Sequence, residues 1–461
     1  MVVIGGGITG LAAAHAVSRH ADGLDVTLLE REPRLGGKIL TEHHDGITYE
    51  AGADAFVARD PAILQLCDDL QLRDDLIPPD VFGAHIWSRG QLKSLPQDWP
   101  FGLPASTSSL LGSDLLPIGG RCRALWDLVA PGKVTGDDIS IGELVRRRFG
   151  SELLERIVDP LLAGSRAGTP DDISLAAAVP QLNAVARRSS SIIRGLAQAR
   201  RQGELPEGPP PFLGVFGGMQ KLVQALAGSL TKANVRVGTE ASRIDASESG
   251  GYRVHLADGS ALEADAVIVA TPAFAAADLL ASLSPEAARQ LYRIQYSSSA
   301  VAVMVYENGH DSIPSSGSGF LVPSRDHGVL SACTWFSKKW ARAAPADGRL
   351  VVRGFVGREA RDASLSFDDD DLIGLIDAEV RVALDLPAPV QTWKLYRWDR
   401  ALPHYRVGHL QLVQRIHGAI AAHAGIQLAG AAYGGSGLPD CVRQGEEAAA
   451  RALNFLADRH G

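Results

Sequence analysis

Three glycines, Gly5, Gly7 and Gly10, stand between the apolar run Val2-Val3-Ile4 and the alanine-rich Leu11-Ala12-Ala13-Ala14. The order is strand, tight turn, helix, and it constrains the fold more than any other stretch of the chain. A β-carbon at these glycines would block the turn and hold the backbone away from a pyrophosphate. Without one, free N–H groups at the positive end of the helix meet the phosphate charge. Twenty residues past Gly10, Glu30 closes a second apolar run, Val26-Thr27-Leu28-Leu29, which puts a carboxylate where ribose hydroxyls can donate to it. The first strand has about three residues before the glycines, a departure from the usual five or six.

A glycine turn of this kind also occurs in α/β proteins that bind no dinucleotide. Two further stretches narrow the choice. Arg34-Leu35-Gly36-Gly37 adds a second flexible loop near the phosphates, and Gly52-Ala53-Asp54-Ala55-Phe56 offers short side chains past which a planar ring can lie. Nicotinamide sites rarely need either, so the set reads as an FAD site, with an NAD dehydrogenase as the weaker alternative.

At 461 residues the chain exceeds the roughly 250–300 at which one hydrophobic core stops growing, so two or more domains are expected. A formal charge of −8 argues against nucleic acid as a partner, which would call for a concentrated basic surface. Arg146-Arg147-Arg148 reads as a solvated helix face. The cysteines, Cys67, Cys122, Cys333 and Cys441, form no Cys-x-x-Cys pair, so neither a metal site nor a dithiol centre is expected and buried or indifferent thiols are. No basic region followed by an apolar stretch and a cleavage site opens the chain, which favours the cytoplasm. The longest apolar stretch, Ala266 to Leu283, is broken by Thr271-Pro272 and Asp278. It reads as a strand followed by a helix rather than a transmembrane segment, with peripheral membrane contact left open.

Strand signals return late in the chain. Val235-Arg236-Val237, Tyr252 to Leu256 and the buried run Val267 to Thr271 follow the glycine- and proline-rich stretch Gly203 to Gly218, and Ile426-Gln427-Leu428 precedes the glycines of 434–437. Between them, Ala300 to Tyr306, Gly328 to Phe336, Leu350 to Val356 and Thr392 to Trp398 suggest a second sheet. The fold class expected is α/β: a split FAD-binding Rossmann-like domain with a second mixed-sheet substrate domain and a helical insertion. The boundaries expected are 1–81, 212–296 and 410–461 for the discontinuous FAD-binding domain, 82–211 for the helix-rich insertion and 297–409 for the substrate domain.

Taken in order, the motifs at both ends resemble the flavin amine oxidase superfamily, and within it the protoporphyrinogen and coproporphyrinogen III oxidases. The carriers are Gly5-Gly6-Gly7-Ile8-Thr9-Gly10-Leu11, Arg34-Leu35-Gly36-Gly37-Lys38-Ile39, Gly52 to Phe56, Arg397-Trp398 with Ala401-Leu402-Pro403-His404-Tyr405 and Gly408-His409, and Gly437-Leu438-Pro439-Asp440-Cys441. The last two are the more particular to porphyrinogen oxidation, and the closing one looks most like the bacterial coproporphyrin-forming branch. The resemblance spans nearly the whole chain. It implies FAD contacts from Gly5, Gly6, Gly7, Ile8, Thr9 and Gly10, from Glu30 and Arg31 at the adenosine ribose, and from Lys38, Gly52, Ala53, Asp54 and Ala55 around the flavin. Ala241 would meet adenine through main-chain atoms, where the family usually has valine. Trp398, Ser436, Gly437 and Leu438 would flank the isoalloxazine; a core tryptophan and a helix-capping turn are the plainer readings of Trp398 and Ser436.

The resemblance also implies a reaction, oxidation of a porphyrinogen with dioxygen as acceptor in heme biosynthesis, over three rounds in which the flavin carries the chemistry. No catalytic acid or base is assigned. A carboxylated macrocycle calls for cations at the cavity rim, and Arg121, Arg123, Arg166, Arg187, Arg188 and Arg194 in the insertion are candidates. Docking with other heme-pathway enzymes is conceivable. Three alternatives stay open: protoporphyrinogen IX as substrate, a flavin amine oxidase or carotenoid-type desaturase, and a non-catalytic flavin-containing porphyrin carrier.

Overall fold

A computed structural model describes residues 1–460 apart from 21–22, 130–131, 166–167, 206–211, 249, 327, 341–343 and 359–361. Five short parallel strands form the first sheet, in the spatial order Asn234–Arg236, Thr27–Leu29, Val2–Ile4, Val267–Val269, Ile426–Leu428. Val3, Leu28, Val267, Ile268 and Val269 are wholly buried, because a parallel sheet is covered on both faces and its strands read as unbroken apolar runs. On one face lie the first helix, Ile8–His20, the helix Gln220–Ser229 and the closing helix, Leu438–His460, meeting through Leu11, Ala12, Leu222, Leu226, Ala448 and Ala452. On the other lie the antiparallel strands Ala241–Ala246, Tyr252–Leu256 and Ala261–Ala264 with helices Ala273–Leu280, Pro285–Leu291 and His409–Ile420.

The second sheet has seven strands in the order Thr392–Pro403, Tyr296–Tyr306, Leu350–Val356, Leu330–Trp335, Gly319–Leu321, His85–Ser88, Gln91–Ser94. Neighbours are antiparallel except Gly319–Leu321 beside His85–Ser88. Alternation along Tyr296–Tyr306 decides what covers each face. Ala300, Ala302 and Met304 pack on the helix Asp369–Leu384, while Val303 and Val305 pack on Ile47 and Tyr49 of an N-terminal hairpin, Thr41–His44 with Ile47–Glu50. That hairpin brings the stretch leading to Gly52 against the second sheet.

The segment from residue 82, expected as helix-rich, opens instead with the His85–Ser88/Gln91–Ser94 hairpin, which extends the second sheet. Its outer strand, Gln-Leu-Lys-Ser, is polar and only partly buried, so no hydrophobic alternation announced it. Helices follow, among them Ile141–Phe149, Pro180–Arg188 and Ile192–Arg201, around their own core of Leu144, Val145, Phe149, Leu182, Val185 and Leu196. The glycine- and proline-rich stretch Gly203 to Gly218, and with it the expected boundary at residue 211, lies partly outside the described residues.

One reading of the arginine run needs correction. Arg146 and Arg147 are exposed, but Arg148 is buried, donating to Ser190 O at 2.8 Å and to Gly132 O, with the buried Asp127 carboxylate 4.0 Å away. Helical periodicity explains it: Ile141, Leu144, Val145 and Arg148 share one face, and that face is the core. Cys67, Cys333 and Cys441 are buried and Cys122 is exposed; all are free thiols. Among the described residues, no helix is long and apolar enough to cross a membrane.

Candidate flavin site

The glycine turn leaves the strand Val2–Ile4 with Gly5 N–H on Leu29 O at 2.8 Å. A β-carbon on Gly10 would lie 1.9 Å from Gly5 O. Only glycine lets the first helix start this close to the strand. The second loop is tied to the first by Gly36 N–H on Gly6 O at 2.8 Å, and Arg34 holds it from below through Ile39 O at 3.1 Å and Gly37 O at 2.5 Å. Structure thus brings Gly6, Gly7, Ile8, Thr9, Gly10 and Gly36-Gly37 into one cradle at a helix N-terminus.

Glu30 sits at its side. One carboxylate oxygen accepts from Gly6 N–H at 2.6 Å and the other from Glu32 N–H at 2.8 Å, and each retains a lone pair for a hydroxyl donor. Its own backbone joins the edge strand, with Glu30 N–H on Arg236 O at 2.9 Å and Thr239 N–H on Glu30 O at 2.8 Å. Ala241 opens the next strand opposite Leu256, close behind Thr239 and so beside the Glu30 end of the sheet. Arg31 is turned outward, 60 % exposed and paired with Glu32 at 3.1 Å.

A further part of the site joins the loops at Lys38 and Gly52 to the second sheet. A β-carbon on Gly52 would lie 1.9 Å from Lys38 O, and Trp398 Cζ2 stands 3.8 Å from that same point. Trp398, carried by the second sheet's edge strand, donates its Nε1–H to Ala51 O at 3.0 Å, and Lys38 Nζ reaches Ala401 O on that strand. Lys38 is exposed as a residue, yet the protein packed around its ammonium desolvates it and holds its pKa below the ordinary lysine range, against a weaker upward pull from Cys441. Ser436, Gly437 and Leu438 form the turn into the closing helix, secured by Cys441 N–H on Gly437 O at 3.0 Å.

Beneath Gly52 lies a charged cluster that motif reading missed. Asp54 is among the residues expected around the flavin. Its carboxylate turns instead to Lys339 Nζ at 2.7 Å, Trp340 Nε1 at 3.2 Å and Arg353 Nη1 at 3.4 Å; the main chain of Ala53, Asp54 and Ala55 is what remains at the site. Burial alone would raise its pKa, but the Lys339 and Arg353 cations together hold it well below the usual carboxylate range. Arg353 is 1 % exposed, donates to Gly52 O at 2.5 Å and lies against the rings of Phe355 and Phe336. Nearby Glu50 accepts from Met219 N–H and from Thr41 Oγ1–H, each at 2.8 Å. Desolvation pushes its pKa up to about 7, against the opposing pull of those two hydrogen bonds and Arg353. The available signal was an arginine inside the apolar run Leu-Val-Val-Arg-Gly-Phe-Val, where a charge demands a buried partner.

Four of the rim arginine candidates are engaged elsewhere. Arg121 donates to Leu116 O and Leu111 O at 3.0 and 2.9 Å. Arg123 caps the helix Ile141–Phe149 through three carbonyls at 3.1 Å. Arg187 donates to Gly136 O and Asp137 O, and Arg188 pairs with Glu204. Arg194 is exposed, and Arg166 lies outside the described residues.

A glycine cradle at a helix N-terminus, a carboxylate with free lone pairs and the approach of Trp398 to Gly52 together fit a flavin dinucleotide. The chain belongs to the flavin-containing amine oxidoreductase family, whose sequence profile matches residues 8–453. It is therefore an oxidoreductase fold with a flavin cofactor, FAD. Over 99 % of its length it is 33 % identical to the coproporphyrinogen III oxidase of Bacillus subtilis, covering 98 % of that protein. It is 28 % identical to the chloroplastic protoporphyrinogen oxidase 1 of Arabidopsis thaliana, over 99 % of this chain and 88 % of that one. A crystal structure from Exiguobacterium sp. 255-15, assigned provisionally to protoporphyrinogen oxidase, superposes with a TM-score of 0.87 at 30 % identity, covering 99 % and 98 % of the two chains.

Proposed function

We propose that this chain oxidises coproporphyrinogen III to coproporphyrin III with dioxygen as acceptor, in heme biosynthesis and in the cytoplasm. The observation that carries the reading is the likeness to the Bacillus subtilis coproporphyrinogen III oxidase over nearly the full length of both chains. The meeting of Trp398 with Gly52 supports it. FAD, when bound, supplies hydride acceptance and passes the electrons to dioxygen.

The chain's own part is binding and orientation. Gly5 to Gly10 hold the pyrophosphate, Glu30 and Arg31 the ribose, and main-chain atoms of Ala241 the adenine. Lys38 and Gly52 to Ala55 line the flavin side, and Trp398 with Ser436 to Leu438 flank the ring. In this division 1–81, 212–296 and 410–461 carry the cofactor, while 82–211 and 297–409 shape the apolar slot that orients the macrocycle and excludes water. Over the whole conversion the macrocycle loses six hydrogens and three dioxygen molecules become hydrogen peroxide. No side chain is assigned as acid or base, because the pyrrole nitrogens can release protons to water once the ring is oxidised. Docking to other enzymes of the pathway belongs to the same reading.

The test is turnover of the flavin-loaded protein on coproporphyrinogen III and protoporphyrinogen IX, followed by porphyrin fluorescence. Faster turnover of coproporphyrinogen III is expected. Equal or reversed rates would overturn the substrate assignment, and a flavin that stays oxidised on anaerobic mixing with either would make the chain a carrier.

A further inference from the structure

The glycines before the closing helix need an outside tie. Gly430 and Gly435 have φ of +130° and +112°, and glycine backbones are held only by what bonds to them. Gln444 of the closing helix accepts from Gly434 N–H and donates to Gly435 O, each at 3.1 Å, and a shorter pair of bonds comes from the other side of the molecule. Tyr405, 5 % exposed, lies just past the end of the second sheet's edge strand, the strand that carries Trp398. Its hydroxyl donates to Ala431 O at 2.6 Å and accepts from Gly435 N–H at 2.9 Å. Its ring stacks on His409 at 4.1 Å between centroids, 14° from parallel. Its own carbonyl accepts from Ser174 N–H at 2.7 Å, and the next residue pairs with Asp172 at 2.8 Å. The Tyr405 hydroxyl therefore joins the closing turn to the end of the edge strand, while its carbonyl and the Arg406 side chain join that strand end to the helical segment.

We propose that Tyr405 is a positioning residue whose hydroxyl clamps the Ala431–Gly435 turn, and through it sets where Ser436, Gly437 and Leu438 stand at the isoalloxazine. This rests on the assignment of those three residues to the ring made above. A donor and an acceptor both served by one oxygen are both left short when that oxygen goes, while the ring and its stacking survive in phenylalanine.

The experiment compares wild type, Tyr405→Phe and His409→Gln. Amide exchange of a peptide spanning 431–438 is measured on the apoprotein, and FAD affinity, visible circular dichroism and kcat with KM on the loaded enzyme. Tyr405→Phe should exchange about tenfold faster over that peptide, change the visible dichroism, and lower kcat about 5–20-fold with KM for coproporphyrinogen III within twofold. His409→Gln keeps the hydroxyl and should leave the exchange of that peptide within about twofold of wild type. Unchanged exchange in Tyr405→Phe, or faster exchange with unchanged dichroism and FAD affinity, overturns the proposal, as does equal loosening by His409→Gln. Should the wild type fail to turn over coproporphyrinogen III, the substrate reading falls while exchange, dichroism and FAD affinity still decide the clamp. If Tyr405→Phe does not fold, 4-aminophenylalanine at position 405 keeps the ring and the donor to Ala431 O but weakens the acceptor for Gly435 N–H; faster exchange over 431–438 is then expected, and unchanged exchange overturns the proposal.

Discussion

Replacing Arg353 with methionine should destabilise the protein by an amount that the Asp54 cluster lets us work out. At 3.4 Å and an effective dielectric of about 20, the Arg353–Asp54 attraction is about 5 kcal/mol before desolvation is subtracted. Breaking buried pairs costs about 3–5 kcal/mol, chiefly because one charge is left alone. Asp54 is not left alone, since Lys339 and Trp340 stay within 2.7 and 3.2 Å, so the lower figure, about 3 kcal/mol, is expected. An unfolding entropy near 2.1 cal/mol/K per residue over 461 residues makes about 1 kcal/mol/K, and hence a fall in Tm of about 3 °C. Thermal unfolding of the apoprotein measures this without involving the cofactor. Arg349→Gln is the control: its partners Asp45 and Asp347 are 67 % and 53 % exposed, exposed pairs contribute little, and Tm should move by less than about 1 °C. The reasoning is refuted if Arg353→Met shifts Tm no more than Arg349→Gln, or if Arg353→Met and Asp54→Asn add without coupling.

Other outcomes follow from the same geometry. Glu50 has a folded pKa raised from 4.5 to about 7, so its contribution is intact below about pH 4.5 and is lost as pH rises to 7, by about 3 kcal/mol; Glu50→Gln should therefore gain about 3 °C in Tm relative to wild type between pH 5 and pH 8, and parallel pH profiles would contradict this. Gly10→Ala drives a methyl into Gly5 O and should yield protein that binds FAD at least ~10-fold more weakly, read by flavin titration of the apoprotein. Trp398→Phe keeps a ring but loses the donor to Ala51 O; a net hydrogen bond of about 1 kcal/mol predicts turnover lowered roughly 5-fold, with unchanged turnover pointing to a purely packing role.

Legibility of the site followed sequence distance. The glycines at 5, 7 and 10 with Glu30 lie within one strand-turn-helix-strand unit, so their spacing alone announces the cradle, and the parallel strands showed themselves because complete burial leaves an apolar run. Trp398 beside Gly52 came only through resemblance, since no local pattern joins residues some 347 positions apart. Arg353 escaped because its partners, Gly52 and Asp54, are some 300 positions away. Arg148 was misread for a different reason: three arginines in a row look alike in composition, and only the 3.6 period separates the buried one. The hairpin at 85–94 was missed because its outer strand carries no alternation.

The order of strands in the first sheet has a consequence for how the protein is made. Ile426–Leu428 pairs with Val267–Val269, and the alanine face of Ile8–His20 waits for the closing helix. At about 5–20 residues per second, a ribosome needs roughly 20–90 s to travel from the first strand to the last. Throughout that interval the nascent chain displays an unfinished sheet edge and an oily helix flank, surfaces that folding helpers bind and that self-association exploits. We therefore expect cofactor capture to wait for Ile426–Leu428 and the closing helix, and a stop codon placed shortly before residue 426 should leave insoluble, colourless product.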